Sequence, residues 1–219
     1  MLLKLPEEYP LKIPIAREGF PYILPLLAFG GGLLYFNSWY ALVPCVVAGC
    51  LAWFFREPRR VPQGSEADVI APADGRVVRI DEVMEHGYLG RRVRRISIFL
   101  SIFDVHINYA PVSGTVDYMH YRRGSFTNAM RDIASVVNEN NTIGIKCRDA
   151  TMAVRQIAGM IARRIVCRCS VGDTIRAGDK IGMIKFSSRV DVFLPLESRI
   201  LVASGQRVRG GESVIARMG

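Results

Sequence analysis

The sequence predicts a β-rich α+β fold, a flattened β-sandwich preceded by an N-terminal helical hairpin suited to a membrane. Three observations predict it: an uncharged apolar stretch over 20–55, short branched runs between turn residues after Arg60, and a repeated glycine-and-branched pattern near the C-terminus. At 219 residues the chain suffices for one domain plus an appendage. A formal net charge of +9 calls for an anionic partner, either nucleic acid or an anionic membrane surface.

Residues 1–19 form a segment with Lys12 and Arg17 ahead of the apolar stretch, and Arg56, Arg59 and Arg60 follow it. Positive charge on both flanks places both ends on the cytoplasmic side. The stretch reads FPYILPLLAFGGGLLYF, then NS, then WYALVPCVVAGCLAWFF, two halves of 17 residues each around a turn at Asn37 and Ser38. That length is at the short end of a bilayer span, so spanning and one-leaflet insertion both stand. Trp39, Tyr40 and Trp53 suit the interface. The stretch is too long and too far from Met1 for a cleaved signal, and no small-residue cleavage site follows it.

From residue 61 to 219 the pattern is that of one β-rich domain, beginning VPQGSEADVIAPADGRVVRIDEV. GDTIRAGDKIGMI (172–184) and GQRVRGGESVIARM (205–218) share the plan G-x-x-[IV]-x-x-G-x-x-[IV]. Glycine turns at that spacing, with the earlier PADGRVV, are the pattern of lipoyl/biotinyl-like sandwiches. FTNAMRDIASVVNEN (126–140) has capping residues and helical spacing at Met130, Ile133 and Val137. MAVRQIAGMIARRIV (152–166) reads as a strand that passes into a helical turn, or as core packing. The five cysteines lack metal-ligand spacing, so no metal site is expected, and their odd number fits reduced, inert thiols.

Among three histidines, His86 falls in a turn-like, exposed segment and His120 lies near a turn. His106 lies in RRISIFLSIFDVHINYAPVSG, which reads as one long strand run with Asp104, His106 and Asn108 on one face. That face is either a solvated strand edge or a site wall. Asp74, in APADGRV, is equally a turn residue or a functional carboxylate. Basic residues 91–95, with Arg122 and Arg123, read as a solvated face or as contacts for lipid phosphates. KFSSRVD places Ser187 and Ser188 side by side between strand-like runs. Asp74, His106 and Ser188 supply the residue types of an activated nucleophile, although no G-x-S-x-G elbow is present.

IAPADGRV, FDVHINYAPVSG, VRQIAGMIARRIVC and IGMIKFSSRVDVFLP, in this order and behind a hairpin ending in FREPRR, resemble phosphatidylserine decarboxylase in its short membrane-associated bacterial and archaeal form. The resemblance covers nearly the whole chain. It implies autocatalytic serinolysis between Ser187 and Ser188, giving fragments 1–187 (beta chain) and 188–219 (alpha chain) that remain together as a heterodimer. It further implies a pyruvoyl cofactor made from Ser188, which takes the substrate amine as a Schiff base and accepts the electrons released with CO2. In the same reading His106 activates Ser188 and later returns a proton to the decarboxylated carbon, while Asp74 orients His106. Two positions depart from the family pattern. Tyr109 stands where longer relatives carry a second histidine, and Ser187 stands where the family has glycine before the cleaved serine.

The implied reaction converts phosphatidylserine to phosphatidylethanolamine and CO2 at the cell (inner) membrane, with the catalytic domain on the cytoplasmic side. The implied partners are the lipid and an anionic membrane surface, not nucleic acid; a homo-oligomer stays open. Two alternatives carry distinct expectations. A lipoyl/biotinyl-type carrier would be modified on Lys185, and a membrane serine hydrolase would use Ser188 with the chain intact.

Overall fold

The computed structural model describes residues 14–219 except 37, 126, 128, 129, 131–133, 148, 149, 160–163, 186 and 187. The chain divides into two compact units, one through Pro58 and one from Arg59. In the first unit, α1 (Phe20–Tyr35) and α2 (Leu42–Phe54) each follow a short 3-10 turn, and the turn over Trp39–Ala41 takes up the start of the second apolar half. Gly30 lets them approach: a Cβ there would lie 2.9 Å from Cys45 Sγ. Entry and exit are tied by Ala16 N–H to Phe55 O and by Glu57 N–H to Pro14 O. Phe29, Leu34, Phe36, Trp39 and Leu42 are exposed. Sixteen residues of helix span about 24 Å, against about 30 Å of hydrocarbon. Among the described residues no helix is long and apolar enough to cross a membrane.

The second unit carries β1 (Asp68–Ile70), β2 (Gly75–Glu85), β3 (Arg91–Leu100), β4 (Ile107–Tyr109), β5 (Gly114–Arg122), β6 (Asn140–Lys146) and β7 (Thr151–Ala158). It continues with β8 (Ile165–Cys167), β9 (Thr174–Ile175), β10 (Lys180–Ile184), β11 (Ser188–Leu194), β12 (Arg199–Ile200), β13 (Arg207–Val208) and β14 (Val214–Arg217). An eight-stranded antiparallel sheet runs β13-β2-β3-β11-β7-β6-β5-β9, and two three-stranded sheets run β1-β14-β12 and β4-β10-β8. One face of the large sheet buries Ile96, Ile98, Leu100, Val154, Val190 and Val192 in the main core.

These orders are palindromic because the unit is internally duplicated. Strands β1–β3 and β11–β14 form one half; β4–β10 form the other, inserted between β3 and β11. Ala71-Pro72-Ala73-Asp74-Gly75 corresponds to Ala110-Pro111-Val112-Ser113-Gly114. Ile70 N–H donates to Pro111 O and Tyr109 N–H to Pro72 O, both at 2.8 Å, so the two segments clasp each other reciprocally. The ladders break between Val77 and Arg79 and, at the matching place, between Val116 and Tyr118, bending the sheet twice. A Cβ on Gly75 would lie 2.1 Å from Phe99 O, and one on Gly114 would lie 2.4 Å from Lys146 O, so both turns require glycine. The glycine-and-branched repeat belongs to the same duplication: Gly172 and Gly178 match Gly205 and Gly211, all with positive φ. Gly172 N–H reaches Val116 O and Gly205 N–H reaches Val77 O at the same 2.7 Å.

Two expectations change. The helix expected over 126–140 is present only as α3 (Ala134–Val137) among the described residues, and Asn140 already begins β6. Asn138 explains the stop: its side chain bonds Thr127 and the Ala158 carbonyl, tying the chain to the sheet instead of to the next helical turn. The run around His106 is two strands, not one. Between β3 and β4 the Asp104 carboxylate accepts the Ser101 N–H at 2.8 Å and its hydroxyl at 2.7 Å, closing a turn over 101–104. The ambiguous stretch from 152 begins as β7, and residues 160–163 lie outside the described residues.

Candidate active site

Asp74, His106 and Ser188 lie on segments that meet at the junction between the two halves. The chain leaves the first half after Leu100 and re-enters it at Ser188, which pairs with Leu100 on one side and Ala158 on the other. Arg76, Phe99 and Arg189 share a cross-strand row, so Gly75, directly after Asp74, lies level with Leu100 and Ser188. Ser188 is fully buried, on the face that carries Val190 and Val192, and its hydroxyl has no hydrogen-bond partner among the described residues. A buried hydroxyl left unpaired is costly, and such groups concentrate at functional sites. Phe186 and Ser187, the other half of the expected cleavage site, lie outside the described residues.

His106 is fully buried between the 101–104 turn and β4. Its Nδ1 lies 2.8 Å from the Asp104 carbonyl oxygen. A carbonyl only accepts, so Nδ1 carries the proton, and in the neutral ring Nε2 is the basic nitrogen. The His106 carbonyl receives Ile184 N–H at 3.3 Å, pinning the histidine to the strand that leads towards Ser188. The solvated-edge reading is therefore replaced: His106 and Asn108 are both buried, because β4 is covered on both faces.

Asp74 is held by a residue that charge counting alone had assigned to the membrane flank. Arg60 Nη2 lies 2.8 Å from Asp74 Oδ2, and Arg60 Nη1 lies 3.2 Å from Glu212. Gly210 N–H donates to Asp74 Oδ1 at 2.7 Å. Burial opposes the Arg60 charge, but Asp74 and Glu212 more than offset it and raise its pKa; Tyr109 bonds the same guanidinium. Tyr109 thus joins the Asp74 side of the site, at the position where longer relatives have histidine.

The internal duplication supplies an independent view of this arrangement. The counterparts of His106, Asp74 and Ser188 are Ala67, Ser113 and Ala150, and all three line one cavity of about 680 Å³. The equivalent place on the other side of the junction therefore keeps a cavity between the halves with the chemistry removed.

Two groups escaped the sequence reading. Asn141 Nδ2 bonds Gln156 Oε1 at 3.0 Å, and Gln156 Nε2 bonds Asn108 Oδ1 at 2.8 Å, a buried amide chain ending two residues from His106. Arg189 and Asp191 form a buried ion pair, Nε to Oδ1 at 2.9 Å, on the opposite face of β11 from Ser188, with Ser135 bonded to both. Period-two alternation from Ser188 was the available signal for that face. Lys185 is half-buried, its N–H bonded to Arg164 O, and it follows β10 directly. His86 is exposed as expected, and His120 is exposed within β5. Arg91 and Arg92 are exposed, whereas Arg95 pairs with Asp81 at 2.6 Å. Among the described residues no group of three or more metal-ligating side chains occurs.

A serine hydroxyl so deeply enclosed and unpaired is the mark of an enzyme's site more than of a core position. A family model for phosphatidylserine decarboxylase matches residues 47–216. A phosphatidylserine decarboxylase proenzyme of Carboxydothermus hydrogenoformans is 46% identical over 205 residues, covering 92% of this chain and 95% of the relative. One of Syntrophus aciditrophicus is 43% identical over 205 residues, covering 91% and 95%, and one of Magnetococcus marinus is 40% identical over 211 residues, covering 93% and 95%. The chain belongs to the phosphatidylserine decarboxylase family.

Proposed function

We propose that this chain is a proenzyme that cuts itself between Ser187 and Ser188 and then decarboxylates phosphatidylserine to phosphatidylethanolamine. Family membership supports the reaction, and one observation carries the site: the buried, unpaired hydroxyl of Ser188 at the crossing between the halves. In the cut, His106 Nε2 takes the hydroxyl proton as Ser188 Oγ adds to the Ser187 carbonyl carbon. The peptide C–N bond breaks as the ester C–O bond forms, and the freed amine takes the proton. Loss of the Ser188 α-proton then breaks the ester, leaving a Ser187 carboxylate and a dehydroalanine that water converts to ammonia and a pyruvoyl group.

Residue 188 fits that group, since a buried atom without a partner leaves room for a change of bonding there. When formed, the pyruvoyl carbonyl supplies the electron sink for loss of CO2. His106, with Nδ1 fixed on Asp104, holds the proton for the carbon left behind at Nε2. Asp74, neutralised by Arg60, sets the charge at the rim and helps orient the histidine.

Further parts of the reading follow the same line. Residues 1–19 precede a membrane hairpin over 20–55, and 61–219 form a catalytic domain of two lipoyl-like halves on the cytoplasmic side of the inner membrane. Fragments 1–187 and 188–219 stay paired as a heterodimer. Intact-mass analysis of the purified protein tests the proposal: two fragments, the smaller with a pyruvoyl end, are expected. His106→Ala should leave one full-length chain, and normal cutting in that variant would sink the assignment. A mass increase on Lys185 without cleavage would favour a carrier instead.

A further inference from the structure

We infer that the turn over 101–104 is a membrane-contact tip that seats the catalytic centre at the headgroup level of an anionic bilayer. It deepens the proposed function and rests on it for its purpose, while its geometry stands independently. Ile102 is 42% exposed and Phe103 67% exposed, side by side at the apex of the turn. The backbone beneath them is fixed: Asp104 N–H bonds Ser101 O, and the Asp104 carboxylate holds the Ser101 N–H and hydroxyl. The apolar pair is thus presented to solvent by a closed turn, not left there by a loose loop.

The surroundings are basic. Arg207 Nη1 lies 3.5 Å from Asp104 Oδ1 with its side chain 70% exposed, and Arg76, also exposed, is directly opposite Arg207 in the sheet. The exposed Arg209 lies two residues further on. Apolar side chains at a tip with arginines at its base match a bilayer surface: the former enter the interface, the latter meet lipid phosphates. Charge complementarity selects an anionic membrane over a protein partner. The tip is also coupled to the chemistry, because the Asp104 carbonyl that ends the turn orients the His106 ring. Three residues separate Phe103 from His106, a span of at most about 10 Å. A headgroup entering beside the tip would therefore meet the buried histidine within one headgroup length.

The test uses the full chain. In a background with Trp39→Phe and Trp53→Phe, Phe103→Trp should be quenched by brominated lipids in phosphatidylglycerol-containing vesicles. Ile102→Ser with Phe103→Ser should lower decarboxylation of phosphatidylserine in vesicles at least about tenfold, the loss expected from withdrawing two apolar side chains from lipid. Self-cleavage and turnover of monomeric short-chain phosphatidylserine should stay within about twofold of the unaltered protein. Unquenched fluorescence, unchanged vesicle activity, or an equal loss on the soluble substrate would each overturn the inference. Failure of the unaltered chain to cleave or to decarboxylate the soluble lipid would instead overturn the proposed function.

Discussion

Arg60 Nη2 lies 2.8 Å from Asp74 Oδ2 and 3.1 Å from Oδ1, joining the first residues after the hairpin unit to the candidate site. Arg60→Ala removes the cation and leaves the enclosed carboxylate with the Gly210 N–H. Its expected cost is about 1.5–3 kcal/mol of stability, measured by urea unfolding, with slower self-cleavage on a gel time course. Arg60→Lys should restore charge but not the forked contact, recovering only part of both.

The Arg189–Asp191 pair lies directly beyond the proposed cleavage point, with side chains 3% and 0% exposed. Asp191→Ala leaves a buried guanidinium without its counter-ion and should cost about 3–5 kcal/mol. Removing both charges, as Arg189→Met with Asp191→Leu, should cost less than Asp191→Ala alone. A double-mutant cycle by chemical denaturation reads the difference.

Stability towards acid should depend on Asp68. The Arg217 and Ser65 hydrogen bonds hold its carboxyl far below the usual carboxylate range. A depressed folded pKa contributes stability above the unfolded value, near pH 4, and that contribution is lost as pH falls through the folded value. The urea midpoint should therefore drop below pH 4 more steeply in the parent than in Asp68→Asn. Equal slopes would remove Asp68 from the account.

The cysteine thiols should not all react alike. The Cys167 and Cys169 sulfurs lie 3.6 Å apart and share a hydrogen bond, which brings the Cys167 pKa down to about 6, while Cys169 is pushed up. Burial and Asp117 raise Cys147 to about 11. With Cys45 and Cys50 replaced by serine, iodoacetamide at pH 7 should label Cys167 at least about tenfold faster than Cys147, with a rate midpoint near pH 6. Cys169→Ala, which removes that hydrogen bond, should slow Cys167 markedly.

Much of the fold was legible because local chemistry dictated it. Uncharged helices, Asp-Gly turns and the glycine repeat each carry a local conformational demand, and each appears at its expected place. The duplication was half visible, as the repeat; its other half, APADG against APVSG, is too short to stand out without the reciprocal hydrogen bonds. Ser188, His106 and Asp74 were readable as residue types. The roles of Arg60 and the Asp104 carbonyl were not, since one depends on a contact between distant segments and the other on a backbone atom. The helix expected over 126–140 stops after Val137, because periodicity cannot register what Asn138 does with its side chain.

Insertion of one half into the β3–β11 connection determines what a break at Ser188 can achieve. Strand β11 sits fourth in the eight-stranded sheet, hydrogen-bonded to β3 and β7 along its length. The shorter piece is thus threaded through its partner, and shedding it would require tearing the sheet along its middle. Severing the backbone there creates a reactive chain end in the interior without creating a free edge, so the enzyme would mature with its covalent continuity lost and its architecture still locked.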